Sequence, residues 1–367
     1  MKKSKKLKHI IISLLSIFII TFSLYGCNNS DNNKENTQTE QQNKTITDMA
    51  GRKVEIKNEK IEKIYCTDPV SAITIYTINP ELLLGWNYSF NDYEKEYILE
   101  EYQNLTAYGM GDKVNIEAII NDNPDIVIHM GNINEKFIES ANKLSNQLNI
   151  PVIAVDGSLL KTPESYRFIG EIIGEEERTN LLASYCENTI NDIIKTSENI
   201  ETKHTIYYGN GADSLETAPF GSSASEVFDI LSAENVVKIE NDDNSTTQRI
   251  QITAEQLLTW NPEFIFVNGE PKENISGSKS VEEIMTNANY QNLQAVQNSN
   301  VYNIPKAPFA WIDRPKGVNR IIGIKWAGSI IYPEIYGEFS NDMIKDFYKT
   351  FYHINITDEQ IEKLLSI

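Results

Sequence analysis

Apolar residues fall along the 367-residue chain in three kinds of run. The first is a single block. Behind a basic segment, 1–9 (MKKSKKLKH), residues 10–25 form an almost unbroken apolar stretch of 16. A helix needs roughly 20 apolar residues to cross a bilayer, so this shorter block predicts an export signal rather than a permanent span. The second kind is short and β-branched, at 61–65, 82–85, 125–129 and 152–155, then at 205–208, 264–267 and 301–304. Helical or loop stretches separate these runs, and that alternation predicts strands of parallel sheets. Ahead of them, 46–48 and 53–56 flank Met49-Ala50-Gly51-Arg52 and predict a hairpin. The third kind is helical. Segment 175–200 lacks Pro and Gly and repeats Leu181, Leu182, Tyr185, Ile190, Ile193 and Ile194 at helical spacing. The pattern predicts an α/β fold of two lobes with mainly parallel sheets, 45–174 and 201–367, joined by one long helix at 175–200.

The apolar block closes on Leu24-Tyr25-Gly26-Cys27, which resembles a bacterial lipobox, with Tyr25 the one departure. The resemblance implies a signal peptide over 1–26 and a lipidated Cys27 as mature N-terminus. Residues 28–44 (NNSDNNKENTQTEQQNK) contain no apolar side chain and cannot join a core. With Cys27 they read as a flexible tether, 27–44, with a coil dimension of roughly 20–25 Å. The expected location is the outer face of a cytoplasmic membrane, reached through the lipid anchor.

Charge removes one class of function. Asp and Glu number 52 against 33 Lys and Arg, a formal net charge of −19. A body this acidic repels phosphate backbones, which excludes nucleic-acid binding through a basic face. Cys27, Cys66 and Cys186 are too few for a disulfide scaffold or a Cys-rich zinc module, and the last two read as small apolar side chains. His129, His204 and His353 have no zinc-site spacing. Gly209-Asn210-Gly211 matches only part of a dinucleotide fingerprint, and no P-loop or nucleophile-elbow motif occurs. No catalytic residue, resident cofactor or protein metal site is expected.

One internal echo stands out. VNIEAIINDNPDIVIHMGN (114–132) aligns without gaps to ITAEQLLTWNPEFIFVNGE (252–270), pairing Glu117 with Glu255, Asn123-Pro124 with Asn261-Pro262 and Gly131 with Gly269. Each copy predicts a short helix with a glutamate in its first turn, an Asn-Pro stop, a buried strand and a glycine turn.

These features resemble, from 45 to the C-terminus, the periplasmic-binding-protein family of iron-siderophore, haem and cobalamin ABC importers. The residues carrying the resemblance are Thr47-Asp48-Met49-Ala50-Gly51-Arg52-Lys53-Val54, the echoed glutamates, the long connecting helix, Trp311-Ile312-Asp313-Arg314-Pro315, Gly323-Ile324-Lys325-Trp326 and Tyr332-Pro333. The resemblance implies a monomeric binding protein whose two lobes are joined by one long rigid helix and that holds a metal chelate between them without catalysis. It also implies that Glu117 and Glu255 dock on arginines of a membrane permease dimer coupled to an ATPase. The chelate expected is a ferric siderophore; cobalamin, haem and an oxyanion such as molybdate are the alternatives, and a chelatase-like enzyme is the rival class. Open α/β sheets bind ligands beyond the carboxyl ends of their strands. That rule nominates Thr67, Trp86, Tyr88, Tyr108 and Met130 in the first lobe and Tyr208, Phe220, Phe309, Trp311 and Arg314 in the second. The set is aromatic, with Arg314 and Lys306 its chief positive charges.

Stable anchoring takes two acyl chains, because one chain at about 0.8 kcal/mol per methylene binds only marginally. The Cys27→Ser variant is therefore expected to appear in the medium or to remain unprocessed. Lipid labelling that persists in this variant would end the lipobox reading.

Overall fold

The computed structural model describes residues 43–211, 213–238, 249–269 and 278–366. They lie within Gln41–Ile367, one compact unit; the signal and nearly all of the tether lie outside the described residues. Among the described residues no helix is long and apolar enough to cross a membrane.

The strands are β1 (Lys44–Thr47), β2 (Lys53–Ile56), β3 (Ile64–Cys66), β4 (Ile126–Gly131), β5 (Val152–Asp156), β6 (Thr205–Asn210), β7 (Glu216–Thr217), β8 (Glu234–Asn235), β9 (Ile250–Gln251), β10 (Phe264–Asn268) and β11 (Val301–Asn303). The first lobe carries the parallel sheet β3-β4-β5 and the antiparallel hairpin β1-β2. The second lobe carries the order β11-β10-β6-β7-β9, with β8 also on β6. Its core strands and β8 are parallel; β7 and β9 add an antiparallel edge. Sequence patterning missed that edge because two-residue strands have no period to read. The run at 82–85 is not a strand. A 3-10 turn, Pro80–Leu82, leads into it and only Leu83 bridges Ile64. At its end Gly85 lets the Thr106 carbonyl approach closely, where a Cβ would sit 2.4 Å from that oxygen.

The hairpin is locked by one carboxylate. The side chain of Asp48 is fully buried and accepts hydrogen bonds from the backbone of Ala50 (3.1 Å), Arg52 (2.9 Å) and Ala154 (3.1 Å). It also takes two from the Arg52 guanidinium, at 2.9 and 2.7 Å. The Thr-Asp-Met-Ala-Gly-Arg motif is thus a plug seated on β5. A buried charge is tolerable when every lone pair finds a donor of this kind.

Each strand alternates between two layers, as a period of 2 requires. Ile64, Ile126, Ile128, Ile206, Tyr208 and Phe266 face one apolar core that runs through both lobes and includes Leu182, Cys186 and Ile190. Tyr65 and Val127 face an outer cluster with Ile119. Tyr207, Ile265 and Val267 face another with Leu257. The connecting helix, Glu176–Ser197, presents Leu182, Ala183, Cys186, Ile190 and Ile193 to the shared core, while Leu181 is exposed and Tyr185 lies under Lys325 at 5.0 Å. The segment after 340 returns to the first lobe. Tyr97 donates to the Gln360 carbonyl at 2.8 Å, Tyr76 to the Tyr352 carbonyl at 3.2 Å, and Lys363 pairs with Glu96 at 2.5 Å. The helix Asn341–Tyr352 thus bridges the lobes, since Tyr348 also donates to the Ala307 carbonyl and Tyr352 to the Asn319 side chain.

Candidate functional site

The open-sheet rule puts a ligand cleft beyond the carboxyl ends of β3, β4 and β5 and of β6 and β10, and there the loop after β5 is tied to the second lobe by a latch. Arg320, 2 % exposed, donates to the Gly157 carbonyl at 2.8 Å and pairs with Glu226. Glu226 also accepts the backbone N–H of Leu159 at 3.1 Å. One second-lobe ion pair thereby grips the loop after β5 of the first lobe. Gly317 brings the lobes within reach beside it, since a Cβ there would lie 3.2 Å from Ile73.

The second-lobe side of the cleft is cationic. Arg249 precedes β9, half-buried, and bonds to Asp313 and, at 3.4 Å, to Glu216. The Arg314 guanidinium lies 3.0 Å from the same Glu216 oxygen, and its backbone N–H donates to Asp313 at 2.8 Å. Arg314 adopts φ 64°, a left-handed conformation that costs an L-residue roughly 1 kcal/mol or more. Lys316 donates to Ser223 at 2.7 Å, and burial pushes its amine below the ordinary range, with Asp313 opposing. Lys306 donates to the Gly269 carbonyl. Sequence reading found Arg314 and Lys306 but missed Arg249 and Lys316. Arg249 closes a polar stretch 64 residues before Asp313 and carries no pattern that would reveal it.

The nominated contact residues separate by burial. Thr67, Tyr88 and Arg314 are partly exposed and Phe220 is exposed. Thr67 Oγ1 lies 2.8 Å from the Asp68 carboxylate and 2.7 Å from His129 Nδ1, and burial holds the His129 imidazole below its usual pKa. Met130 is buried with its backbone N–H 3.3 Å from Asp68. Trp86 and Phe309 do come together across the lobes, at 6.1 Å between ring centroids, with Tyr88 at 6.5 Å from Phe309. Trp86 nevertheless spends its indole N–H on the Tyr102 carbonyl, at 2.7 Å, and is 3 % exposed.

Three placements correct the expectation. Tyr108 belongs to the outer cluster behind the first sheet and donates to Asp122 at 2.5 Å, away from the cleft. Tyr208 is fully buried beneath Asp313, with its hydroxyl 3.2 Å from the Asn268 amide. Trp311 is fully buried too, edge-on to Trp326 and Phe339 at 6.2 and 5.8 Å. The helix Arg320–Ile331 crosses the Trp311 backbone so closely that a Cβ on Gly323 would lie 1.9 Å from the Trp311 carbonyl. The tryptophan of the segment Pro305–Pro315 therefore anchors it from below.

The echoed segments adopt one local structure twice. Helices Ile116–Asp122 and Ala254–Trp260, seven residues each, are capped by Asn115 and Thr253. Both end on an asparagine in the left-handed region, Asn123 (φ 49°) and Asn261 (φ 45°), followed by proline. Asparagine tolerates that conformation better than other side chains with a Cβ, and proline cannot continue a helix. Glu117 and Glu255 are exposed at the second helical position, and neither carboxylate has a hydrogen-bond or ion-pair partner among the described residues. Also among the described residues, no three His, Cys, Asp or Glu side chains converge to hold a metal ion.

The model of the family described as "Periplasmic binding protein" matches residues 85–308. The molybdate-binding protein MolA of Haemophilus influenzae is 24 % identical over 338 residues, covering 84 % of this chain and 88 % of its own. The Fe(3+)-citrate-binding protein YfmC of Bacillus subtilis is 21 % identical over 294 residues, covering 80 % and 88 %. Among solved structures, an ABC transporter solute binding protein from Sulfurospirillum deleyianum superposes with a TM-score of 0.78 at 26 % identity, over 88 % of this chain and 99 % of that one.

The burial of Trp311 has a measurable consequence. Truncating a buried tryptophan typically costs about 3–5 kcal/mol. The Trp311→Ala variant is expected to melt well below the parent protein, whereas Arg314→Ala, with part of its side chain in solvent, melts close to it. Equal melting temperatures for Trp311→Ala and the parent would return Trp311 to the cleft wall.

Proposed function

The chain belongs to the periplasmic binding protein family, and we propose that it is the lipid-anchored receptor of an ABC importer whose cargo is an anionic metal complex. It is a solute-binding protein of the importer class and not an enzyme, as its relatives are. The observation that carries the cargo reading is the pair Arg249 and Arg314, both held against Glu216, which stands opposite Asn210 at the carboxyl end of β6. Guanidinium groups suit carboxylate and oxo oxygens, because their planar donors match two acceptors at once. The half-buried Tyr88, which packs on Phe309, and the exposed Phe220 are the nominated aromatics with surface left to offer the apolar flank of a chelator. Two named relatives bind molybdate and ferric citrate, both anions, which supports the class. A ferric siderophore of the carboxylate type stays within this reading; haem and cobalamin use less of the positive charge.

Calorimetry with ferric citrate, molybdate and haemin tests the cargo class. The anions are expected to bind and Arg249→Gln to weaken them by roughly thirtyfold, about 2 kcal/mol. Binding of haemin alone, unaffected by that change, would overturn the anionic reading. The delivery step turns on Glu117 and Glu255, which we place on the permease. Reversing both to arginine is expected to stop uptake in cells while leaving cargo affinity of the purified protein nearly unchanged, because a rim charge acts on association with its own partner. Normal uptake by the double variant would reduce the two glutamates to helix-start residues that favour the macrodipole.

A further inference from the structure

Arg249 and Arg314 face two carboxylates of different kinds. Asp313 is fixed, its side chain 4 % exposed, and it holds Arg249 from beneath while accepting the Arg314 backbone N–H at 2.8 Å. Glu216 is a third exposed, and a single oxygen, Oε1, lies 3.0 Å from Arg314 Nη2 and 3.4 Å from Arg249 Nη1. One carboxylate oxygen bridging two guanidinium groups is the contact that an anionic ligand would make.

The strand pairing fixes where Glu216 stands. In the β6-β7 ladder Glu216 lies opposite Asn210, and in the β7-β9 ladder it lies opposite Gln251. Directly opposed residues of an antiparallel pair project from the same face. Asn210 is fully buried, and neither its amide oxygen nor its nitrogen has a hydrogen-bond partner among the described residues. A buried amide left unpaired costs about 1–3 kcal/mol, and native structures keep few of them without reason. An unused N–H donor and two guanidinium groups are thus arranged around Glu216. Within this group of four, Asp313 offsets one arginine and Glu216 the other, while Lys316 adds positive charge close by.

We propose that Glu216 is a built-in stand-in for an anionic oxygen of the cargo, which occupies the arginine pair in the empty protein and is displaced when cargo enters. The inference rests on the anionic-cargo reading and adds a residue that sets its threshold. A ligand must outcompete a tethered carboxylate, so a weakly held inorganic anion is turned away while a complex carrying several anionic oxygens is admitted. Glu216 is suited to leave because two-residue β7 is short, its side chain is partly in solvent, and Asp313 remains to keep Arg249 in place.

Calorimetric titration of ferric citrate and of molybdate into the parent protein, Glu216→Gln and Glu216→Ser separates the possibilities, with melting curves confirming that each folds. Both variants are expected to bind at least one of the anions roughly tenfold more tightly, about 1.4 kcal/mol, and to lose that gain as sodium chloride is added, because chloride can then take the place that Glu216 leaves. Binding by the parent with unchanged or weaker binding by both variants overturns the stand-in role and leaves the cargo reading intact. Binding by the variants alone supports it. If neither the parent nor the variants bind either anion, the anionic-cargo reading fails and the inference falls with it.

Discussion

The apolar core shared by both lobes is the constraint on which the rest depends. The helix Pro69–Ile78 is buried on nearly every face, with Asp68 capping its start and accepting the backbone N–H groups of Val70 and Ser71. Its far end is held by the connecting helix, where Arg178 donates to the Thr77 carbonyl at 2.8 Å and to the Thr350 carbonyl at 2.5 Å. Placing a cation at two helix C-termini at once is favourable for both dipoles. Sliding one lobe over the other would expose aromatic surface around Tyr76, Trp86, Phe309 and Tyr352, at about 25 cal/mol per Å². The placement of the two lobes is therefore held by shared packing.

On this fixed frame the two faces of each sheet have separate duties. The inner layer joins the lobes, and the carboxyl ends of its strands carry the arginine pair and the Arg320–Glu226 latch. The outer layers carry the two echoed helices, each pinned by one buried residue, Ile119 or Leu257. Repetition of cap, glutamate, left-handed asparagine and proline in both lobes gives the surface two equivalent acidic points without any contact between them. The echoed helices and the arginine pair share no residue, so either can be altered without touching the other.

The large features were legible because each writes a period or a stop signal into the chain. Six of the seven β-branched runs became strands, and the long Pro- and Gly-free stretch became the helix Glu176–Ser197. The echo was legible because capping chemistry is local. The site was less so. Trp311, Tyr208 and Tyr108 follow the same rule that nominated Tyr88, and only tertiary packing sends them into the core. Arg249 and Glu216 were invisible for the opposite reason: their meaning comes from a two-residue strand pairing and from Asp313, far along the chain. Sequence periodicity reports which face of an element is buried; it does not report which polar side chains converge.

The return of the last helices to the first lobe has a consequence for how the molecule is made. Phe347, Phe351 and Tyr352 complete the packing around Tyr76 and Tyr166, and Gln360 and Lys363 close on Glu96 and Tyr97. The first lobe, although it leads the chain, cannot bury its inner layer until the final residues are present. Contacts this distant in sequence slow folding, because a long loop must close before they reward it. The order of synthesis thus runs against the order of completion: the leading half stays without its full inner layer until the trailing end has been added.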